Sequence, residues 1–239
     1  MKDVSQFLYV DSTYKLWKFY LNDSGDLFFK ILNQQVELTD PKLIDSGVLE
    51  FTVYAEKNDL VHIIFINAKG ELRKYSIKDE QGQGMLLYSF KSDELPIRDL
   101  RVESLDETMH IFFLAIEDYN IYNSVLTHCR CCINENGPDI MIEPLEDIDL
   151  IPGTREHYKV KRNGIYGLDL FFVTKEEEEA AFYHCSFQRG NWSPPQALYG
   201  INSENISFEI LNNKGSTHIL NKFKEEDTYF LDCVSFDVN

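Results

Sequence analysis

The sequence predicts an all-β protein, because a strand–hairpin unit recurs along the chain and no segment competes well as a helix. Aromatic residues make up 13% of the 239 residues and are mainly Phe and Tyr, which favour strands. The unit recurs at intervals close to the roughly 40 to 50 residues of a propeller blade. We therefore predict a single domain, a β-propeller of about five four-stranded antiparallel blades.

Each copy of the unit has an apolar strand, a polar hairpin and a strand that mixes aromatic and charged residues. The apolar strands lie at 7–10, 61–65, 109–113, 168–172 and 217–220, and their partners at 16–20, 72–75, 125–129, 182–185 and 230–233. His62, His110 and His218 share one column of the repeat, and Asp169 takes that place in the fourth copy.

Two further sets of short runs complete the predicted blades. Alternating runs precede four hairpins at 49–54, 97–102, 156–160 and 206–210, and fourth strands follow at 26–31, 85–88, 139–142 and 191–193. The blades then span 1–40, 47–92, 96–145, 148–199 and 204–239. On this count the first copy lacks its first strand and the last copy lacks its fourth. A shifted phase in the first copy, a ring closed with short edges, or a chain that is the N-terminal part of a longer protein would each explain this.

Acidic residues concentrate in the hairpins that we place between second and third strands. The most helix-like segment, Lys175 to Ala181, contains four consecutive glutamates, whose repulsion weakens a helix, so we predict a hairpin tip there. Since such loops share one face of a propeller, the sequence predicts an acidic rim that could dock a basic partner. Its residues are Glu117, Asp118, Glu176, Glu177, Glu178, Glu179, Glu225, Glu226 and Asp227.

The segment Gly190-Asn191-Trp192-Ser193-Pro194-Pro195 carries a resemblance. It resembles the fourth strand of bacterial β-propeller repeats, in which a hairpin is followed by a Gly-Asn-Trp-Ser-Pro type strand. Lectin-like and other ligand-binding propellers contain similar units, and the layout resembles them over most of the chain. The resemblance implies a ligand-binding propeller.

The charge and the cysteines limit the partners and the compartment. The formal net charge of −17 argues against nucleic acid and membrane surfaces as partners, which leaves an unknown protein or a glycan. Residues 1–20 lack the apolar core of a signal peptide, and no window is apolar enough for a transmembrane helix. The odd count of five cysteines fits a reducing compartment, so we predict a cytoplasmic protein of undetermined oligomeric state.

The cysteines and histidines predict packing rather than metal or cofactor binding. Cys129, Cys185 and Cys233 share one strand column, where a cysteine behaves as a small apolar residue. Cys131 shares the face of Cys129, whereas Cys132 points the other way, which is poor geometry for a zinc site. For the histidine column we expect structural hydrogen bonds to the neighbouring blade, with a shared metal or anion site as the alternative.

Other candidate binding residues lie outside the acidic loops. The segment 147–167 is the longest departure from the repeat and contains His157 and Arg162, so it is a candidate specificity element. Trp17, Trp192 and Tyr199 are candidate platforms on which sugar rings would stack.

Catalytic motifs are absent from the sequence, so we predict no enzymatic activity. The favoured function is a binding scaffold that recognises a protein through its acidic loop face. The alternative is a carbohydrate-binding, lectin-like propeller, and a glycosidase-type enzyme with paired carboxylates is the third hypothesis.

Overall fold

The computed structural model of the chain consists of β-strands and describes residues 6–32, 40–56, 58–91, 96–116, 123–154, 156–176, 179–201, 204–213, 216–225 and 228–237. Its strands are β1 (Gln6–Val10), β2 (Leu16–Leu21), β3 (Leu27–Leu32), β4 (Lys42–Asp45), β5 (Val48–Ala55), β6 (Val61–Asn67), β7 (Glu71–Lys78), β8 (Gln81–Ser89), β9 (Ile97–Leu105), β10 (Thr108–Ile116), β11 (Asn123–Asn134), β12 (Gly137–Asp149), β13 (Tyr158–Asn163), β14 (Gly167–Glu176), β15 (Glu179–Gln188), β16 (Asn191–Trp192), β17 (Gln196–Ile201), β18 (Glu204–Asn213), β19 (Ser216–Glu225) and β20 (Thr228–Asp237). The all-β prediction is confirmed.

The strands form five sheets in which consecutive strands pair. Their orders are β1-β2-β3-β4, β5-β6-β7-β8, β9-β10-β11-β12, β13-β14-β15-β16 with β17 also on β15, and β18-β19-β20. The registers of the first, second, fourth and fifth sheets are antiparallel, and β14 pairs with β15 from Gly167↔Gln188 to Glu176↔Glu179. The glutamate-rich segment is therefore a hairpin, as predicted.

The first sheet corrects the phase of the repeat. Asn22 and Asn67 begin matching turns: each side-chain oxygen accepts two backbone N–H groups, and each turn contains a glycine with positive φ, Gly25 at 80° and Gly70 at 76°. The spacing from Asn22 to Gly25 is the same as that from Asn67 to Gly70, so the hairpin β2-β3 corresponds to the hairpin β6-β7. The strand at 7–10 is thus a first strand, and 26–31 is a third strand rather than a fourth. β4 supplies the fourth strand that the sequence did not indicate.

The chain divides into two compact units, each with its own apolar core. The first contains Met1–Val102, Met109–Ala115 and His128–Glu143, and the second contains Glu103–Thr108, Ile116–Thr127 and Pro144–Asn239. The third sheet contributes strands to both. In the second unit, Phe171 and Phe182 pack with Phe208 and Ile219 between the fourth and fifth sheets. The single-domain assignment with its boundaries stays a prediction.

The fourth strand of the fourth sheet is interrupted. Trp192 pairs with Phe187 in β16, and β17 returns to the same neighbour, β15, at Gln196↔His184. Pro194 and Pro195 lie between the two strands. Because proline has no N–H to donate to a sheet ladder, this pair of residues explains the break. The predicted strand at 191–193 is therefore confirmed only as a short first piece.

The segment 147–167 is less irregular than the sequence suggested. Residues 147–149 continue β12, and 158–163 form β13, so only residues 150–157 connect two sheets. A turn at 164–166 then begins the next hairpin, with Gly164 at a positive φ of 67°. The segment departs from the repeat chiefly because β12 extends well beyond the predicted run at 139–142.

Candidate functional site

The described hydrogen bonds of the histidine column lie within its own sheets, and that of His218 to Ser235 is exposed. His62 Nδ1 lies 2.8 Å from Ser76 Oγ, and its Nε2 lies 2.9 Å from Glu56 Oε1. In the fourth sheet, Asp169 accepts a bond from His184 Nε2 at 3.0 Å. Structural hydrogen bonds were expected to the neighbouring blade, but these partners lie on, or directly after, strands of the same sheet. These bonds pair polar side-chain atoms that would otherwise be buried without a hydrogen-bond partner.

The third sheet carries a similar network around two histidines. His128 is fully buried, with Nε2 2.9 Å from His110 Nδ1 and Nδ1 2.9 Å from Glu143 Oε1. Its ring stacks on Phe112 with centroids 4.6 Å apart. Burial, together with the charge of Arg130, lowers the pKa of His128 to about 3. The imidazole is therefore a neutral structural group.

Three of the five cysteines are packing residues. Cys129 and Cys131 are buried in the core of the first unit, and Cys185 is also buried, whereas Cys132 is exposed. Cys233, in contrast, is exposed, so its predicted packing role is wrong. It lies on β20, the third strand of a sheet for which the described residues supply no fourth.

Two of the predicted binding residues are structural. His157 is buried, and its Nε2 accepts the backbone N–H of Ile151 at 3.1 Å, which holds the connection before β13 in place. Trp17 is buried in the core of the first two sheets, where its Nε1 donates to Asp11 Oδ2 at 2.9 Å. Neither side chain is available to a sugar or a protein, because the alternation of β2 turns Trp17 inward and the connection before β13 buries His157.

Most of the acidic rim falls outside the part of the chain that the structure describes. Glu117, Asp118, Glu177, Glu178, Glu226 and Asp227 lie outside the described residues, as do the side chains of Glu176 and Glu225. Glu179 is exposed at the start of β15, as predicted. The acidic rim itself stays a prediction.

The remaining candidates are spread over the second unit. Trp192 and Tyr199 are half-buried; Trp192 tilts against Phe187, and Tyr199 stacks on Phe182 with centroids 4.9 Å apart. Arg162 is exposed on β13. Their roles in binding stay predictions.

The second unit contains a pocket, and its lining includes none of the individual binding residues predicted from the sequence. It has a volume of about 210 Å³. Its lining consists of Glu146, Asp147, Asp149, Phe172, Thr174, Lys175, Tyr183 and Pro195. The end of β12 supplies the three carboxylates, and the facing hairpin β14-β15 supplies the aromatic, hydroxyl and ammonium groups. Pro195 closes one side where the fourth strand is broken.

Ring stacking and a hydrogen bond hold the lining residues of this pocket in place. The rings of Phe172 and Tyr183, cross-strand partners, stack with centroids 5.2 Å apart and an angle of 13°. Phe172 is buried and Tyr183 is half-buried, so the outer ring is the one that a ligand can reach. Thr174 is 8% exposed, and its Oγ1 accepts the backbone N–H of Asp149 at 2.9 Å. This bond fixes the carboxylate-bearing strand against the hairpin.

The electrostatics of the pocket are acidic. The described lining residues include three carboxylates and one ammonium group, that of Lys175. Burial and the neighbouring charge of Asp147 raise the pKa of Glu146. A carboxyl with a raised pKa in a concave site is a common feature of functional sites. Chemically, the pocket offers an aromatic face, several hydrogen-bond acceptors, the hydroxyls of Thr174 and Tyr183, and the ammonium donor of Lys175.

The sequence did not indicate this pocket. Glu146, Asp149 and Lys175 belong to no motif, and they look like ordinary members of a chain with 40 acidic residues. The available signal was the alternation that continues through Ile148, which is buried while Asp147 and Asp149 are exposed. Read as a longer strand, it would have placed Asp147 and Asp149 on one face.

Metal and membrane features are not found among the described residues. No group of three or more His, Cys, Asp or Glu side chains within them has the arrangement of a metal site. The same part of the chain contains no helix long and apolar enough to cross a membrane.

Comparison with known proteins identifies the fold. No protein-family model and no curated protein sequence matches the chain. The lectin of Aleuria aurantia, a six-bladed β-propeller with a fucose recognition mode, is similar at a TM-score of 0.58 and 8% identity, over 99% of this chain and 78% of the lectin. SapL1 lectin, solved with alpha methyl fucoside, is similar at a TM-score of 0.55 and 9% identity, over 98% and 81% of the two chains.

An enzyme shares the same architecture. The alpha-L-arabinanase of Penicillium chrysogenum, complexed with arabinobiose, is similar at a TM-score of 0.56 and 10% identity, over 79% of this chain. The matched region spans 62% of the arabinanase, which is less than two thirds of its length. Together these likenesses show a β-propeller fold. The number of blades stays a prediction.

Proposed function

We propose that this chain is a carbohydrate-binding β-propeller and that the pocket between β12 and the β14-β15 hairpin holds a sugar ring. The observation that carries the proposal is the pairing of a reachable aromatic ring, Tyr183, with the carboxylates of Asp147 and Asp149 in one concavity. The similar lectins recognise or contain fucosides, which supports this class of ligand.

The chemistry of the lining suits a saccharide. A sugar has an apolar face of C–H groups that packs on an aromatic ring, and hydroxyls that donate to carboxylates at its edge. The volume of about 210 Å³ is smaller than the roughly 300 to 1,000 Å³ of drug-sized sites, which favours a single ring. Lys175 and the Thr174 hydroxyl supply donors for the sugar oxygens.

Isothermal titration against the ligand found by a glycan array tests this proposal. Asp149→Asn should weaken binding by about 10-fold or more, because a hydrogen bond to a charged group contributes about 1.5–3 kcal/mol. Tyr183→Ala should weaken it as well, through loss of the ring face. Asp139→Asn is the matched control, since Asp139 is also exposed on β12 but does not line the pocket. Unchanged affinity in both pocket variants would show that the sugar binds elsewhere.

Non-catalytic binding is part of the proposal. The arabinanase likeness makes hydrolysis the relevant alternative, and glycosidases need a pair of carboxyl groups at a defined separation. The chain should release no sugar from chromogenic glycosides or from arabinan. Turnover that disappears in Glu146→Gln would instead identify an enzyme.

Two other hypotheses stay predictions. Docking of a basic protein on the acidic loops is tested by neutralising Glu176–Glu179 together and measuring affinity at low salt. The cytoplasmic location is tested by fractionating cells that express the tagged chain.

A further inference from the structure

We infer that the pocket between β12 and the β14-β15 hairpin selects a saccharide with a free amino group over its neutral or acetylated counterpart. This inference rests on the proposed function and adds the chemical class of the ligand. The pocket combines a charge imbalance with a hydroxyl donor beside an aromatic ring.

The charge imbalance is the first of these observations. Glu146, Asp147 and Asp149 line the pocket, and Lys175 is the only cation among its described lining residues. Alternation along β12 places Asp147 and Asp149 on the exposed face of the strand, with Ile148 buried between them. A neutral sugar leaves their mutual repulsion in place, whereas an ammonium group relieves it and forms charge-assisted hydrogen bonds.

The raised pKa of Glu146 reflects its burial and this repulsion between the carboxylates. Burial and the charge of Asp147 both disfavour its ionised form. A cation in the pocket would offset both effects, so it gains more from Glu146 than a neutral ligand does. Cys185 also lies near Glu146, but burial raises the pKa of this thiol to about 12, which keeps it neutral.

Thr174 is the second, independent observation. It is more than nine-tenths buried and lines the pocket, and its Oγ1 already accepts the N–H of Asp149. A hydroxyl that accepts one bond retains a proton to donate. Among the contacts of the described residues this proton has no protein acceptor, so it is available to an oxygen atom of the sugar.

The two sides of the pocket then recognise different groups of one ligand. Thr174 and the ring of Tyr183 hold the neutral part of the sugar, as they would in any saccharide. The carboxylates hold the amino group. Acetylation removes the positive charge of the amine and its charge-assisted hydrogen bonds to these carboxylates, so an acetylated sugar should bind more weakly.

Oligomers of glucosamine and of N-acetylglucosamine form a matched pair for the test. Titration at about pH 6 keeps the free amine protonated, since ordinary amino groups titrate above this range. We expect the glucosamine oligomer to bind at least 10-fold more tightly, with a preference that falls as salt screens the charges. Equal or weaker binding of the glucosamine oligomer would overturn the inference while leaving saccharide binding intact.

Variants of the lining residues test whether the preference for the glucosamine oligomer arises in this pocket. Asp149→Asn and Glu146→Gln should bring the ratio of the two affinities toward one, and Lys175→Ala should raise it by removing the opposing cation. Asp139→Asn should leave it unchanged. A preference that survives both carboxylate variants would overturn the assignment to this pocket. Failure of any saccharide to bind would overturn the proposed function and this inference with it.

Discussion

Equivalent positions of the repeat can form the same hydrogen bond with different residue types. Trp17 and His62 are separated by the same sequence interval as their acidic partners Asp11 and Glu56, and both rings bond to a carboxylate at 2.9 Å. Trp17 therefore occupies the histidine column of the first repeat. The sequence hid this relation because tryptophan and histidine share a ring N–H but little else. Here the hydrogen bond, more than the residue type, defines the position.

The buried His128 predicts how stability depends on pH. Its folded pKa of about 3 lies below the ordinary value near 6.5, so stability is lost as pH falls from about 6.5 toward 3, where only the unfolded chain takes up the proton. Between pH 7 and 5 this group should remove ~2 kcal/mol from the free energy of unfolding. Urea denaturation at both pH values measures the loss.

The variant His128→Gln isolates this effect, because glutamine retains hydrogen-bonding groups but does not titrate. Its loss of stability between pH 7 and 5 should be smaller than that of the wild type by the same ~2 kcal/mol. Cys132→Ser, at an exposed position four residues away, should retain the wild-type loss. Parallel acid sensitivity in wild type and His128→Gln would show that other groups cause it.

At the scale of elements, alternation predicted most strands but not their bounds. The strands β5 and β6 begin and end within two residues of the predicted runs, because buried and exposed residues alternate or form continuous apolar stretches there. The four-residue strand β4 was not predicted, because so short a run shows no periodicity. The length of β12 was missed, and the pocket with it, because its terminal carboxylates resembled the general acidity of the chain.

The matched turns at Asn22 and Asn67 predict matched costs of substitution. Each side-chain oxygen accepts two backbone N–H groups, and each amide donates to the acidic residue that ends the turn. Asn22→Ala and Asn67→Ala should each destabilise the chain by about 1–3 kcal/mol, since they leave turn donors without acceptors. The cost should be higher at Asn67, which is 3% exposed. Thermal denaturation measures both.

Lys69→Ala is the control within the same turn, since only its backbone N–H takes part in the bonds to Asn67. It should change stability by less than about 0.5 kcal/mol, as is usual for surface substitutions. If either alanine variant at Asn22 or Asn67 were as stable as the control, the side chains would not be the organisers of these turns. The shared phase of the first two sheets would then rest on strand pairing alone.

At the scale of the whole molecule, the sequence predicted the architecture better than the site. A period of roughly one blade and the scarcity of helix-like sequence were enough to predict a β-propeller, because both are read over the whole sequence. The pocket depends on where two distant segments meet, near Asp149 and Thr174, and no local pattern carries that information. The favoured acidic rim lies mostly outside the described residues, so it stays a prediction.

The five cysteines give a chemical test of the folded chain as a whole. Cys132 and Cys233 are exposed, whereas Cys129 and Cys131 are fully buried and Cys185 is 4% exposed. Burial raises the pKa of the three buried thiols to about 12, 11 and 12, which suppresses the reactive thiolate. Iodoacetamide should therefore label two sites in the native protein and all five in urea, as read by mass spectrometry. Rapid native labelling of Cys131, the neighbour of an exposed site, would contradict the inward face of β11.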